Sequence, residues 1–222
     1  MGKLIVIEGL DGSGKTTQVN LLPEKLKALG VDSKIVSFPD YEDPSSTLVR
    51  MYLSGEFGDK PNSVNAFAAS LFYAVDRYAS FKRHWEQYYN DGGVVVAGRY
   101  VESNAYHQMA KLPEEEWETY LSWLYETEYN KTAIPKPDLV IFLDMPIEVS
   151  SKLMTSRYEG DDSKRDIHEK DKEYLNACRK AAKYAADKCG WCVINCSENG
   201  EPRTIEEISA DIMSQVLKAI DK

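Results

Sequence analysis

The chain has 222 residues, of which 43% are hydrophobic and 28% charged, and its formal net charge is −9. This length suits one domain with a large core, and the composition is ordinary for a globular protein. The acidic balance lacks the basic footprint of a nucleic-acid-binding protein, whereas small phosphorylated ligands need only a local basic cluster. No apolar run approaches the ~20 residues of a membrane span, and no signal peptide precedes the first apolar run. We therefore expect a cytoplasmic protein with neither membrane nor nucleic acid as a partner.

The N-terminal segment joins an apolar strand pattern to a phosphate-binding loop. Residues 4 to 17 read LIVIEGLDGSGKTT and contain the complete pattern G-x-x-x-x-G-K-[ST]. Glycines in such a loop let backbone N–H groups converge on phosphate oxygens, and the following helix adds its positive N-terminal end. Lys15 would reach the β- and γ-phosphates, and Thr16 would bind Mg²⁺. The motif predicts a nucleoside triphosphate site made of Gly9, Asp11, Gly12, Ser13, Gly14, Lys15, Thr16 and Thr17.

Strand and helix patterns alternate along the chain. Apolar runs predict buried strands at residues 4–8, 32–38, 94–97, 139–144 and 192–195. The segments between and after them predict helices at 15–29, 64–90, 114–129, 148–154, 167–188 and 205–220. This alternation is typical of an α/β three-layer sandwich with a five-stranded parallel sheet. Since no long linker or internal repeat interrupts it, we expect a single domain over residues 1–222.

Ligands of such sheets bind at the carboxyl ends of the strands. Tyr73 and Arg77 lie in the predicted helix 64–90, four residues apart and so on one face. An aromatic ring beside a guanidinium suits a flat heterocycle, which can stack and accept hydrogen bonds. The spacing alone favours a plainer alternative, in which Tyr73 is a core residue and Arg77 pairs with Asp76 or Glu86.

Arg99 and Asn104 follow the third predicted strand. Arg99 could hold a phosphate with two parallel hydrogen bonds, and Asn104 can both donate and accept, as a pyrimidine edge requires. A capped loop that enters a helix is the alternative, and these residues alone do not decide between the two.

A charged stretch at 157–169 reads RYEGDDSKRDIHE and predicts a mobile lid over about 155–169. Cations in a lid that closes over phosphates would stabilise charge during phosphoryl transfer. A solvated linker is the alternative.

The four cysteines have a simple interpretation. Cys189 and Cys192 have the C-x-x-C spacing of redox or zinc sites. Cys192, however, falls in a predicted buried strand, and Cys178 falls in the helix before it. Free thiols in a cytosolic protein are therefore expected.

Together these residues resemble the thymidylate kinase family, P-loop enzymes that phosphorylate dTMP. The resemblance covers nearly the whole chain, and the order and spacing of its elements make it specific. Those elements are the GLDGSGKTT loop, Phe38-Pro39 with Tyr41, the Tyr73 and Arg77 pair, Arg99-Tyr100 with Ser103-Asn104, the Pro137-Asp138-Leu139 strand entry and a basic lid. The resemblance implies transfer of the ATP γ-phosphoryl group to dTMP with Mg²⁺, and a homodimer formed through the helix at 64–90.

The resemblance also implies individual roles. For the base, Tyr73 would stack on thymine, Arg77 would bond its carbonyl group and Asn104 its ring nitrogen. The remaining acceptor residues would contact the sugar and phosphate: Asp11 at the 3′-hydroxyl and near the magnesium shell, Arg99 at the phosphate, Tyr41 along the sugar-phosphate side and His107 near the 2′ carbon, with Phe38 and Ser103 in the same site. The catalytic cations would be Lys15, Arg99, Arg157 and Arg165.

Two departures from the family pattern keep the acceptor open. Gly98 stands where the family has an Asp before the Arg, and Asp40 and Tyr41 occupy positions of which one commonly carries an Arg. A cation lost beside a phosphate would weaken its binding by about 1–3 kcal/mol. The alternatives are therefore a kinase of the same fold for another nucleotide or nucleoside, and a nucleotide-binding paralogue without turnover.

Overall fold

Five parallel strands form the central sheet, in the order β2-β3-β1-β4-β5. The computed structural model describes residues 1–157 and 172–220. The strands are β1 (Lys3–Gly9), β2 (Ser33–Ser37), β3 (Val94–Gly98), β4 (Leu139–Asp144) and β5 (Cys192–Asn195). A short antiparallel pair, β6 (Ser197–Glu198) and β7 (Glu201–Pro202), follows β5.

Helices lie on both faces of the sheet. They are α1 (Lys15–Ala28), α2 (Thr47–Leu53), α3 (Ala66–Ser80), α4 (Glu86–Asn90), α5 (Val101–His107), α6 (Trp117–Tyr125), α7 (Ile147–Arg157), α8 (Lys172–Cys189) and α9 (Ile205–Ile220). Two π-helical segments continue α3 and α6, at Phe81–Trp85 and Glu126–Lys131. Single 3-10 turns occur at Pro44–Ser46, Pro61–Ser63, Met109–Lys111 and Glu114–Glu116. In the part of the chain that is described, no helix combines the length and the apolar character needed to cross a membrane.

The central strand β1 explains why the sheet is covered on both faces. β1 pairs in parallel with β3 on one side and β4 on the other. Because strand side chains alternate, Leu4 and Val6 pack in one layer with α5, α6 and α8, and Ile5 and Ile7 pack in the other with α1 and α9. All four side chains are fully buried. The unbroken apolar run of β1 is therefore the consequence of burial on both faces.

The structure confirms the predicted three-layer sandwich and its five-stranded parallel sheet. Each strand lies within one residue of its predicted bounds, and β4 and β5 match at both ends. The predicted helix at 64–90 begins at Ala66, since the Asn65 side chain accepts the Ala68 N–H, and a π-helical segment interrupts it. The helix at 114–129 is divided in the same way. The short elements α2, α5, β6 and β7 were not predicted, because seven residues or fewer carry little periodicity.

Part of the predicted lid lies outside the described residues. Arg157 is the last residue of α7, and Arg165 falls in 158–171, which the structure does not describe. The catalytic roles of both arginines therefore stay predictions. All four cysteines carry free thiols, and Cys178 and Cys196 are buried.

Candidate active site

The phosphate-binding loop connects β1 to α1 through glycines in the left-handed region. Gly12 has φ 76° and Gly14 has φ 87°. A Cβ atom on Gly12 would lie 2.8 Å from the Ser150 carbonyl oxygen, so this residue also allows the close approach of α7. Gly14 precedes α1 without a side-chain cap. The first N–H groups of α1 are thus left for an anion, as a phosphate site at a helix N-terminus requires.

The other loop residues fit a triphosphate and a cation. Lys15 Nζ lies 3.2 Å from the Leu10 carbonyl oxygen and 3.8 Å from Asp11 Oδ1, which holds the ammonium group beside the loop. The Ser13 hydroxyl is buried and has no hydrogen-bond partner among the described residues. Thr16 is exposed at the start of α1, where its hydroxyl can bind Mg²⁺.

A cavity of about 460 Å³ lies next to this loop. Lys15 and Thr16 contribute to its wall, together with side chains that follow β2 and β3 and others from α3 and α5. All nine predicted acceptor residues line it: Asp11, Phe38, Tyr41, Tyr73, Arg77, Arg99, Ser103, Asn104 and His107. The structure therefore brings residues that span nearly 100 positions into one site, although their individual roles stay predictions.

Arg99 is held by a strained turn and a set of acceptors. Its φ of 66° is unusual for a residue other than glycine, and the turn follows β3 directly. Nη1 donates to Ser103 Oγ at 3.3 Å, to the Tyr106 hydroxyl at 3.1 Å and to His107 Nε2 at 3.2 Å. Nη2 donates to Asp11 Oδ1 at 2.6 Å. Within the described chain, the Nε–H group and one Nη2 proton have no hydrogen-bond partner, which leaves two donors for a phosphate.

Asp11 brings a negative charge to the same wall. Burial by itself raises the pKa of its carboxyl group, but the charges of Arg99 and Lys15 outweigh burial and bring that pKa below its usual range. Asp11 is therefore ionised at neutral pH. It is also the only carboxylate among the described residues that line the cavity.

Arg77 is a buried part of the cavity wall. Only 1% of its side chain is exposed, and it pairs with Glu128, with Nε 3.3 Å from Oε2 and Nη2 bonded to Oε1. Nη1 donates to the Tyr100 carbonyl oxygen at 3.3 Å. Burial lowers the pKa of Arg77, but the Glu128 charge outweighs burial and raises it, so the guanidinium stays charged. The plainer alternative was thus right about an ion pair and wrong about its partner, which is neither Asp76 nor Glu86.

Tyr73 and Asn104 complete this side of the cavity. Tyr73 meets Tyr52 edge to face at a centroid distance of 6.5 Å, so its ring has a fixed support. Asn104 Nδ2 donates to the Ser70 carbonyl oxygen at 3.3 Å. In the described structure this leaves the Asn104 amide oxygen and one N–H for a ligand.

Asp76 has a role that the sequence did not reveal. It is 1% exposed, and it accepts the Asp40 N–H at 2.9 Å and the Ser45 hydroxyl at 2.7 Å. Burial raises the pKa of Asp76 more than these hydrogen bonds lower it. Asp76 thereby anchors the loop that carries Tyr41. Asp40 itself is not among the described residues that line the cavity, although its neighbours Pro39 and Tyr41 are.

Two carboxylates near the strand ends are paired with protein groups outside the cavity. Glu8 is fully buried and accepts from the Tyr100 N–H, Ser103 Oγ and Tyr106 hydroxyl at 2.7–2.8 Å. Asp144 pairs with Arg179 and Lys183, as close as 2.7 Å and 3.2 Å. Neither carboxylate lines the described cavity. Gly98 does line it, and a Cβ there would lie 3.4 Å from Val19 Cγ2, which is an ordinary contact.

Comparison with known proteins identifies the family of this chain. The family model for thymidylate kinase matches residues 7–208. A thymidylate kinase of Mycobacterium tuberculosis is 34% identical over 82% of this chain and 84% of its own length. A probable thymidylate kinase of Pyrobaculum aerophilum is 30% identical over 97% of each chain. The structure of a thymidylate kinase from Candida albicans, 22% identical, covers 99% of this chain and 93% of its own with a TM-score of 0.71, which confirms the fold. The chain therefore belongs to the thymidylate kinase family.

Proposed function

We propose that this protein transfers the γ-phosphoryl group of ATP to dTMP and forms dTDP and ADP. The observation that carries this proposal is the shared cavity, in which Lys15 and Thr16 of the phosphate-binding loop meet Arg99 and the predicted base-binding side chains. Membership of the thymidylate kinase family supports it independently.

Catalysis in this cavity consists of positioning and charge stabilisation. A phosphate oxygen of dTMP attacks the γ-phosphorus, and the bond from that phosphorus to the ADP oxygen breaks. The two available donors of Arg99 hold the acceptor phosphate, and Lys15 compensates the charge on the transferred group. Mg²⁺ held by Thr16 would supply further neutralisation of the phosphate charges. Holding both nucleotides in place removes much of the entropic cost of their encounter.

The hydrogen-bonding groups of Arg77 and Asn104 suit a thymine base. Because Glu128 and the Tyr100 carbonyl group fix the Arg77 guanidinium, its remaining N–H groups keep one direction at the cavity wall. Arg77 would donate to a thymine carbonyl oxygen, and the Asn104 amide would match the ring N–H group. Tyr73 would stack on the ring.

An apolar stripe on α3 supports a homodimer. Four side chains at spacings of four, four and three residues share one face of α3 and are 37–54% exposed: Phe67, Leu71, Val75 and Tyr78. A contiguous apolar face of this kind commonly marks an interaction surface. We infer that a second copy of the chain covers it, since a two-fold contact pairs the same stripe on both subunits. Four free thiols agree with a reducing compartment, and we infer a cytoplasmic location.

The test is ADP release from Mg·ATP with a panel of acceptors: dTMP, dUMP, dCMP, UMP, dGMP and thymidine. We expect dTMP to give the highest kcat/KM, with dTDP as the product identified by chromatography. A preference for another acceptor would make Gly98 and Asp40 the first positions to examine as specificity determinants. Binding of dTMP without turnover on any acceptor would overturn the kinase assignment.

A further inference from the structure

We propose that His107 is a positioning residue for Arg99. Its neutral imidazole accepts a hydrogen bond from the guanidinium at Nε2 and directs its Nδ1 proton to the Cys178 thiol. The inference rests on the proposed function, because Arg99 there holds the acceptor phosphate. It differs from a direct contact between His107 and the sugar of the acceptor.

The protonation of the ring follows from its partner. His107 Nε2 lies 3.2 Å from Arg99 Nη1, and a guanidinium group has donors and no acceptor. Nε2 must therefore carry the lone pair, and the proton of the neutral ring resides on Nδ1. Nδ1 lies 3.6 Å from Cys178 Sγ, a weak acceptor at suitable distance. Burial raises the pKa of this thiol well above its usual range, so it remains protonated and uncharged.

Helix α8 fixes the orientation of the ring. The Tyr174 hydroxyl donates to the His107 carbonyl oxygen at 2.6 Å, and the two rings stack with an interplanar angle of 28°. Tyr174 and Cys178 are four residues apart and so present one face of α8 to His107. Tyr106 packs on the ring from α5 at a centroid distance of 4.6 Å. With 8% of its surface exposed, His107 has little freedom to turn away from Arg99.

In this arrangement, one edge of the Arg99 guanidinium bonds to protein groups and the other is left for a ligand. His107, Ser103 and Tyr106 occupy Nη1, and Asp11 occupies one proton of Nη2. The edge formed by Nε and the second Nη2 proton is left toward a ligand. Loss of the acceptor at Nε2 would remove one of the three acceptors that orient Nη1, and a less firmly oriented guanidinium would bind the phosphate in a poorer geometry.

Two substitutions distinguish the contribution of the Nε2 acceptor from that of the aromatic ring. His107→Phe keeps a flat ring against Tyr174 and removes the acceptor, whereas His107→Gln keeps a carbonyl oxygen within reach of Arg99 and removes the ring. We expect His107→Phe to weaken dTMP binding about tenfold, the size of a charge-assisted hydrogen bond, and His107→Gln to recover most of that loss. If His107→Phe does not fold, as judged by its circular dichroism spectrum, His107→Asn serves instead, because its shorter amide cannot reach Arg99.

The decisive measurement compares dTMP with thymidine in calorimetric titrations. A positioning role acts through the phosphate, so His107→Phe should weaken dTMP binding and leave thymidine binding unchanged within about twofold. An equal loss for both ligands would identify a sugar or base contact and overturn the proposal. In an Arg99→Met background, His107→Phe should add no further loss for dTMP, and an additive effect would also contradict the proposal. Since binding is measured without ATP, absence of kinase turnover in the unmodified protein would refute the proposed function and not this inference.

Discussion

At the scale of single residues, one anion in the cavity wall lies beside two of its cations. Asp11 lies 2.6 Å from Arg99 and 3.8 Å from Lys15, and the two cations keep its pKa low. The carboxylate in turn holds both cations in place before any ligand binds. An arrangement prepared in advance avoids reorganisation during the reaction, which is the main source of electrostatic catalysis.

We expect Lys15→Ala to lower kcat by at least ~10²–10³-fold, because it removes a charge that compensates the transferred phosphoryl group. The fold should persist, since Lys15 belongs to the nucleotide loop side of α1 and packs in neither core layer. ADP release and thermal unfolding measure the two effects. Turnover within tenfold of the unmodified protein would contradict the role of Lys15.

Ionisation of the buried Glu102 carboxyl group lowers the free energy of unfolding at neutral pH. It is 2% exposed, one oxygen accepts from the Tyr129 hydroxyl at 2.6 Å, and the other has no partner among the described residues. Burial raises its pKa from 4.5 to about 7. Between these values the folded chain keeps a proton that the unfolded chain has lost. The free energy of unfolding therefore falls as the pH rises from about 4.5 to about 7.

We expect Glu102→Gln to remove this dependence, since the amide keeps the acceptor for Tyr129 and cannot ionise. The gain in free energy of unfolding should reach as much as ~3 kcal/mol at pH 8 and be small at pH 4. Urea denaturation at both pH values measures it. An equal change at the two pH values would mean that the effect comes from packing and not from ionisation.

At the scale of elements, a buried ion pair joins α3 to the π-helical segment after α6. Arg77 and Glu128 are both 1% exposed and lie 51 residues apart in the chain. Such a pair contributes little net stability when intact, but the loss of one partner leaves an uncompensated charge in the interior. It therefore fixes the geometry of the base-binding wall more than it stabilises the fold.

Glu128→Ala should lower the free energy of unfolding by ~3–5 kcal/mol and raise the KM for dTMP, because Arg77 loses its support. Glu126→Ala is the matched control on the same segment, as Glu126 pairs with Lys131 at the surface and is 49% exposed. This control should change stability by no more than ~1 kcal/mol. Similar losses in both variants would show that the segment, rather than the buried pair, determines stability.

At the scale of the whole molecule, the inferred homodimer would place its contact on the apolar face of α3. α3 also supplies Tyr73 and Arg77 to the cavity, so a contact between two copies along this helix would support the base-binding wall of each subunit. Along the sequence of α3, the two cavity residues lie between residues of the apolar stripe. In such a dimer, assembly and acceptor binding would share one structural element.

Leu71→Glu should convert a dimer to monomers in sedimentation velocity, because it buries a charge at the centre of the stripe. The kcat/KM for dTMP should fall in parallel as α3 loses its support. Leu29→Glu is the control, since Leu29 is 58% exposed at the end of α1 and away from the stripe. If the unmodified protein sediments as a monomer, the inferred dimer is wrong.

The amino-acid sequence by itself determined the fold class, the nucleotide loop and the family. These features depend on residues that are close in the chain: a continuous apolar run marks a strand buried on both faces, and the motif from Gly9 to Thr16 encodes its own loop and helix start. The acceptor residues could also be selected from the sequence, because their spacing matches that of the family. The interruptions at Phe81–Trp85 and Glu126–Lys131 left no comparable local pattern.

Only the tertiary structure decided which partners these residues have. Arg77 pairs with Glu128 across 51 positions, and Arg99 with Asp11 across 88, whereas local spacing favoured neighbours such as Asp76. It also showed that the Glu8 carboxylate of β1 accepts the Tyr100 N–H just before α5, that Asp40 does not line the cavity and that His107 contacts Arg99. The physical reason is that helix and strand patterns record only whether a side chain is buried. Its partner is set by how the sheet order brings distant segments together.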